Sequence, residues 1–270
     1  MGTLKEIPKE TKPERETSTS TEVESDHETK YAEGFTVPLF TKQELTYGLK
    51  RMQKGRCADT DGISLEMFLY SGEENQQRLL ECLNNVLVEG VIPSSWCNTF
   101  FTLLHKGGPI QDANNWRPIA ILSITYKIFA RLIYHRIRHQ LDAFQSEDQF
   151  GFRPGRSTSH ALLILESMLS KGVEYNVPMW VVTIDLKKAF DRVDHTALFN
   201  ALRQQMDPEY VSLLEKLYEI QYGNVGSHRF RIARGVRQGD VLSPILFNAI
   251  LEHAMRKWKL KLRPHGFSTS

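Results

Sequence analysis

Apolar residues recur at helical spacing along most of the chain, in short amphipathic segments separated by Gly, Pro, Ser and Thr. Thr41-Lys42-Gln43-Glu44 reads as a capping box that opens a short helix through Leu49 and Met52. Helical segments follow at about 64–70 and 75–89, the second with Leu79, Leu80, Leu83, Val86 and Leu87 on one face. Ile124, Ile128, Leu132, Ile133, Ile137 and Leu141 define a longer helix. Further helices are predicted from Ser159 to about Ser170, through Val193, Ala197, Leu198 and Leu202, and from Asp207-Pro208 through Leu217. A last one starts at Ser243-Pro244, with Ser as cap and Pro in the first turn.

Period-two or continuous apolar runs mark the extended pieces. Residues 99–106 and 115–122 flank the turn signal Gly107-Gly108-Pro109 and predict a hairpin with basic residues on both arms. Residues 223–235 predict a second, with Arg229, Arg231 and Arg234. Trp180-Val181-Val182-Thr183-Ile184 is uncharged and rich in β-branched residues, so it reads as a buried strand that delivers a carboxylate, Asp185, where the run stops. Such a carboxylate suits metal binding, but strand-end acids are common in many α/β folds.

Residues 1–38 are rich in Glu, Lys, Thr and Ser and nearly lack large apolar side chains, so they are expected to be disordered. Residues 1–40 carry five basic against nine acidic residues and 41–270 carry 29 against 23, which makes the folded part mildly basic. That balance is compatible with nucleic acid without requiring it. Cys57, Cys82 and Cys97 suggest neither a disulfide framework nor a zinc site, so a reducing, intracellular setting is expected, nuclear or cytoplasmic. No apolar run approaches the roughly 18 residues of a membrane span.

Two basic features could meet phosphates. Lys127, Arg131, His135 and Arg138 fall at steps of four, four and three, forming one stripe on the long helix; a solvated face and a phosphate-backbone contact explain it equally well. The loop Gln149-Phe150-Gly151-Phe152-Arg153-Pro154-Gly155-Arg156-Ser157-Thr158 offers Arg and Phe on a Gly-bearing frame, which suits backbone contact and stacking, or simply an ordered surface loop.

Five stretches, in one order, resemble the reverse transcriptase domain of non-LTR retrotransposons: 55–66, Lys106 with Asn115-Trp116-Arg117-Pro118-Ile119, 149–158, Ile184 to Asp191, and Gly235-Val236-Arg237-Gln238-Gly239-Asp240 with Leu242-Ser243-Pro244. The resemblance covers about 40–260. It implies an α+β fold, the fingers and part of the palm of a right-hand polymerase, with helices on an antiparallel sheet. The fingers with their preceding helices would occupy 39–178, the partial palm 179–262, and a disordered end 263–270.

The resemblance also assigns roles. Asp185 would be the first catalytic carboxylate and, with the Leu186 carbonyl, would hold Mg²⁺, two ions serving a complete domain. Lys106 and Arg117 would grip a deoxynucleoside triphosphate. Phe190 would exclude a ribose 2′-hydroxyl, or pack under a palm helix. Gln238 and Gly239 would lie against the nascent base pair. Arg153 and Arg156 would touch the RNA template or DNA primer, and Asp191 and Asp240 read as caps. A group II intron or retron-type enzyme fits 116–119 and 149–158 less well.

One departure stands out. The family's Asp-Asp motif is absent, since no Asp-Asp pair occurs in the 270 residues. A truncated copy with an incomplete palm is therefore expected: either a polymerase domain by descent that is inactive as it stands, or a non-catalytic nucleic-acid-binding remnant.

Overall fold

The computed structural model describes residues 34–262, so the expected disorder at 1–33 and 263–270 lies outside the described residues. Residues 34–38 are packed: Val37 is buried, and the Phe35 amide donates to the Leu87 carbonyl at 2.7 Å. Helix α1 (Lys42–Lys50) begins with the expected capping box, Thr41 and Glu44 each satisfying the other's backbone. Helices α2 (Leu65–Leu69) and α3 (Glu73–Glu89) follow, and α3 buries the five apolar residues of its predicted face.

The centre of the core is α4 (Ile124–Phe144). It buries Ile124, Ile128, Leu132, Ile133, Ile137 and Leu141, the expected face, together with Tyr126, Phe129 and Ala130. Each of the Ile, Leu and Phe side chains contributes about 1.5–3 kcal/mol by leaving water. Around it pack α1, α6 (His195–Leu202), α7 (Pro208–Glu219) and the start of α8 (Ser243–Leu262).

The sheet has four strands in the order β2-β1-β3-β4. Strands β1 (Asn98–His105) and β2 (Trp116–Ile121) form the expected first hairpin, and β3 (Tyr222–Val225) and β4 (His228–Arg231) the second. These pairs are antiparallel, but β1 and β3 meet in parallel, so the sheet is mixed. The two hairpins meet edge to edge after a long crossover, which permits a parallel pair.

The stretch 180–185 departs from expectation. It forms no strand and is not buried: Trp180 is 94% exposed, and Val182 and Ile184 also face solvent. A strand exists only where a neighbour accepts its ladder of hydrogen bonds, and among the described residues none runs alongside. Helix α5 (Thr158–Glu174), capped by Ser157 as its Ser/Thr cluster predicts, likewise buries none of its residues.

Candidate nucleotide-binding cleft

The tip of the first hairpin is held by its own polar groups. The Lys106 amide donates to the Asn115 carbonyl at 2.7 Å, the Trp116 indole donates to the Ile110 carbonyl at 2.9 Å, and Asp112 caps the turn at Ala113–Asn115. Lys106 and Arg117 stand exposed on the two arms, and neither enters an ion pair among the described residues. Two unpaired cations on one hairpin are suited to an anion.

Opposite them, the chain after Leu186 turns through Lys188, whose φ is 53°, into a 3-10 turn at Phe190–Arg192. The loop 235–240 lies on that turn. The Gly235 amide donates to the Val193 carbonyl at 2.7 Å and the Val236 amide to the Phe190 carbonyl at 2.8 Å. A Cβ on Gly235, at φ 91°, would come within 3.0 Å of the Asp191 carbonyl, so glycine is required for this approach. Gly239, at φ 104°, similarly lets the loop reach β2, where the Ala120 amide donates to the Gln238 carbonyl at 3.2 Å.

Between hairpin and loop lies a cleft of about 500 Å³ lined by Lys106, Arg117, Phe190, Asp191 and Gln238. Four of the five residues expected to meet a nucleotide therefore share one cavity, and Gly239 adjoins Gln238. The Gln238 amide donates to Asp191 Oδ1 at 3.2 Å, which gives Asp191 a positioning part in place of the cap expected of it; the 3-10 turn at Phe190–Arg192 has no side-chain cap. Phe190 stacks on Phe247 from α8, with ring centroids 4.7 Å apart.

Asp185 and Leu186 do not line this cleft. They line an adjoining depression of about 480 Å³ with Asp194 and Phe247, and Ala189 borders both. Among the described residues no three His, Cys, Asp or Glu side chains gather to hold a metal ion. One carboxylate and one carbonyl are a poor fit to a pair of Mg²⁺ ions, which need several oxygen donors between them.

Beneath the 235–240 loop lies a polar network that sequence reasoning missed. Arg237 is 5% exposed; its Nε donates to Gln221 Oε1 at 3.1 Å, another nitrogen donates to the Trp96 carbonyl at 3.2 Å, and the guanidinium lies 4.7 Å over the Tyr126 ring. Asp240, also buried, accepts from the Tyr126 hydroxyl at 2.5 Å and from the Leu242 amide at 3.1 Å, the latter at the start of α8. Burial pushes the Asp240 carboxyl up against the opposing pull of Arg237, and burial with the Asp240 charge pushes the Tyr126 hydroxyl well above its ordinary value. The one sequence signal was Arg237, a charged residue within 235–240 to which the resemblance assigns no role.

The predicted nucleic-acid contacts are spread more widely. Lys127, Arg131 and Arg138 are half-buried on α4, and burial lowers the pKa of Lys127 and Arg131. Arg131 and Arg138 line a separate groove, together with Arg153. Arg153 donates to Asp142 and to the Ser146 carbonyl, each at 2.7 Å, and so fastens its own loop to α4. Arg156 donates to the Glu147 carbonyl and lies over the Phe150 ring.

The motifs that form the cleft have a counterpart in known proteins. Residues 104–267 match the family described as Reverse transcriptase (RNA-dependent DNA polymerase). The chain is 29% identical over 220 residues to the transposon TX1 uncharacterized 149 kDa protein of Xenopus laevis, covering 78% of this chain and 17% of that one. It is 30% identical over 176 residues to the retrovirus-related Pol polyprotein from type-1 retrotransposable element R2 of Popillia japonica, covering 63% and 24%. It is 31% identical over 185 residues to the RNA-directed DNA polymerase from mobile element jockey of Drosophila melanogaster, covering 64% and 20%. Among solved structures, a partial Cas6-RT-Cas1–Cas2 complex superposes on 84% of this chain and 35% of that one, with a TM-score of 0.47 and 21% identity. The chain belongs to the reverse transcriptase family, and to its non-LTR retrotransposon branch. It spans less than a quarter of the length of each of these three relatives.

Proposed function

We propose that the cleft between the first hairpin and the 235–240 loop is a deoxynucleoside triphosphate site of an RNA-directed DNA polymerase, addressed by an RNA template and a DNA primer. The observation that carries this reading is the convergence of Lys106, Arg117, Phe190 and Gln238, from three separate stretches, on one cavity. Lys106 and Arg117 neutralise the triphosphate. Phe190 lies against the sugar, where its ring leaves no room for a 2′-hydroxyl. Gln238, braced by Asp191, borders the base pair while Gly239 lets the backbone approach.

Members of this family generally use divalent metal ions, and Asp185 with the Leu186 carbonyl are the donors this chain offers for Mg²⁺. That set falls short of the two-ion clamp required for nucleotidyl transfer. The 270-residue chain is accordingly read as binding nucleotide and nucleic acid without completing the reaction. Titration of the chain with a fluorescent deoxynucleoside triphosphate tests this. Binding in the micromolar to millimolar range that weakens at least tenfold in the Lys106→Ala/Arg117→Ala double variant is expected. Binding indifferent to both substitutions overturns the cleft assignment. Primer extension that Asp185→Ala abolishes overturns the reading of the chain as catalytically incomplete.

A further inference from the structure

Strand β4 ends the sheet: β3 pairs with one of its edges, and among the described residues no strand pairs with the other. The register fixes which backbone groups face outward. The Ile232 amide donates to the Gln221 carbonyl at 2.8 Å, just beyond the strands, which marks those two residues as a hydrogen-bonded pair. In an antiparallel ladder such pairs recur at every second residue, so Gly223 with Phe230 and Val225 with His228 belong to the same set. The amides and carbonyls of Arg229 and Arg231 therefore point away from β3, on a strand whose four residues are all exposed.

The two faces of this edge differ in chemistry. Side chains alternate along a strand, which puts Arg229 and Arg231 on one face and His228 and Phe230 on the other. The Arg229 guanidinium lies 3.9 Å from the centre of the Tyr222 ring and donates to Asn98 Oδ1 at 3.3 Å. Both partners are neutral, and neither Arg229 nor Arg231 is in an ion pair among the described residues. On the opposite face Phe230, 46% exposed, stacks with Phe101 of β1, ring centroids 6.1 Å apart. Gly223 on the strand between makes room for the pair, since a Cβ there would come within 2.4 Å of the Phe230 ring. The open edge thus presents a fixed order of cation, ring and cation.

A second copy of the chain does not suit this edge. Antiparallel pairing of β4 with itself about Phe230 sets Arg229 opposite Arg231 twice, and like charges directly opposite are destabilising. A strand with carboxylates at alternate positions meets both arginines instead, and an apolar residue between them lies against Phe230. We propose that β4 is a docking edge for an extended acidic segment of a protein partner, added antiparallel, with the pattern acidic, apolar, acidic opposite Arg229, Phe230 and Arg231. Main-chain hydrogen bonds to Arg229 and Arg231 supply the affinity, and the charges select the sequence. None of the three residues lines the nucleotide cleft, so the proposal stands apart from what that cleft binds.

Anisotropy of a fluorescein-labelled Ser-Glu-Val-Glu-Val-Glu-Ser peptide on the full chain tests this. Saturable binding is expected, weakened about tenfold or more in Arg229→Glu/Arg231→Glu and recovered in that variant by the peptide with Lys in place of Glu. N-methylation separates a paired strand from mere attraction of charges. In the antiparallel addition the Glu amides donate to β4 and the Val amides point away, so methyl groups on the Glu nitrogens abolish binding and those on the Val nitrogens leave it intact. The methylated peptides act on the wild type, so this arm holds whatever the substitutions do to folding. Equal binding of the two methylated peptides overturns the strand pairing. A wild type that ignores the parent peptide at millimolar concentration overturns the proposal, and loss of a blunt RNA–DNA duplex in the double variant would then assign the arginines to nucleic acid.

Discussion

Phe190 stacks on Phe247 with ring planes inclined by 16°, so the residue expected to police the sugar is also a packing residue. The two parts can be separated by size. Phe190→Leu keeps an apolar contact with Phe247 and should cost about 1 kcal/mol, whereas Phe190→Ala opens a void and should cost about 2 kcal/mol or more. If the ring also excludes a 2′-hydroxyl, Phe190→Leu narrows the preference for deoxy- over ribonucleoside triphosphate several-fold in competition binding. An unaltered preference would leave Phe190 with packing alone.

His135 introduces a pH dependence. Burial, followed by the charges of Arg131, Arg138 and Arg51, lowers its pKa from 6.5 to about 4, and the rings of Tyr47 and Tyr134 pack against it. A base whose folded pKa lies below its unfolded value binds its proton more readily when unfolded. Its contribution to stability is therefore full above about 6.5 and is lost as pH falls towards about 4. Denaturant melts between those limits should show stability falling with pH, with a shallower slope in His135→Gln. An equal slope in both proteins would assign the effect to other groups.

Asp59 closes a loop and caps the central helix with one carboxylate. Its Oδ1 accepts from the Asp61 and Ile63 amides at 3.0 and 2.9 Å, and its Oδ2 accepts from the Ile124 amide at 2.8 Å, the first residue of α4. Asp59→Ala leaves those donors unpaired beside the core and should cost about 2 kcal/mol, a drop of several degrees in melting temperature. Asp59→Asn keeps one acceptor and should lose less. Equal melting of all three proteins would show that water replaces the carboxylate.

What could be read from sequence was what is decided locally. The Thr41–Glu44 box, the hairpin around Gly107-Gly108 and the buried face of α4 each depend on residues a few positions apart, and each forms as expected. Asp59 as a cap for Ile124, 65 residues away, gave no such signal. Nor did Arg237, whose partners Gln221, Trp96 and Tyr126 come from three distant places. The cleft itself was legible through resemblance, because the motif residues meet there whatever their separation in the chain. Its relation to Asp185 was not, since that depended on a strand requiring neighbours.

That unformed strand carries the last prediction. Trp180, Val182 and Ile184 are exposed on backbone without a ladder partner, and α5 close by in sequence also exposes Leu162, Leu163 and Ile164. A β-branched, uncharged stretch with free backbone donors and acceptors is a template for pairing between copies. The purified chain should therefore self-associate at micromolar concentration and bind a hydrophobic dye while folded. Val182→Lys with Ile184→Lys should raise the monomer fraction in sedimentation and change the stability by no more than about 0.5 kcal/mol, because both side chains are largely exposed. If the double variant associates as strongly as the parent, the adhesive surface is α5 instead, and Leu163→Lys becomes the substitution that disperses it.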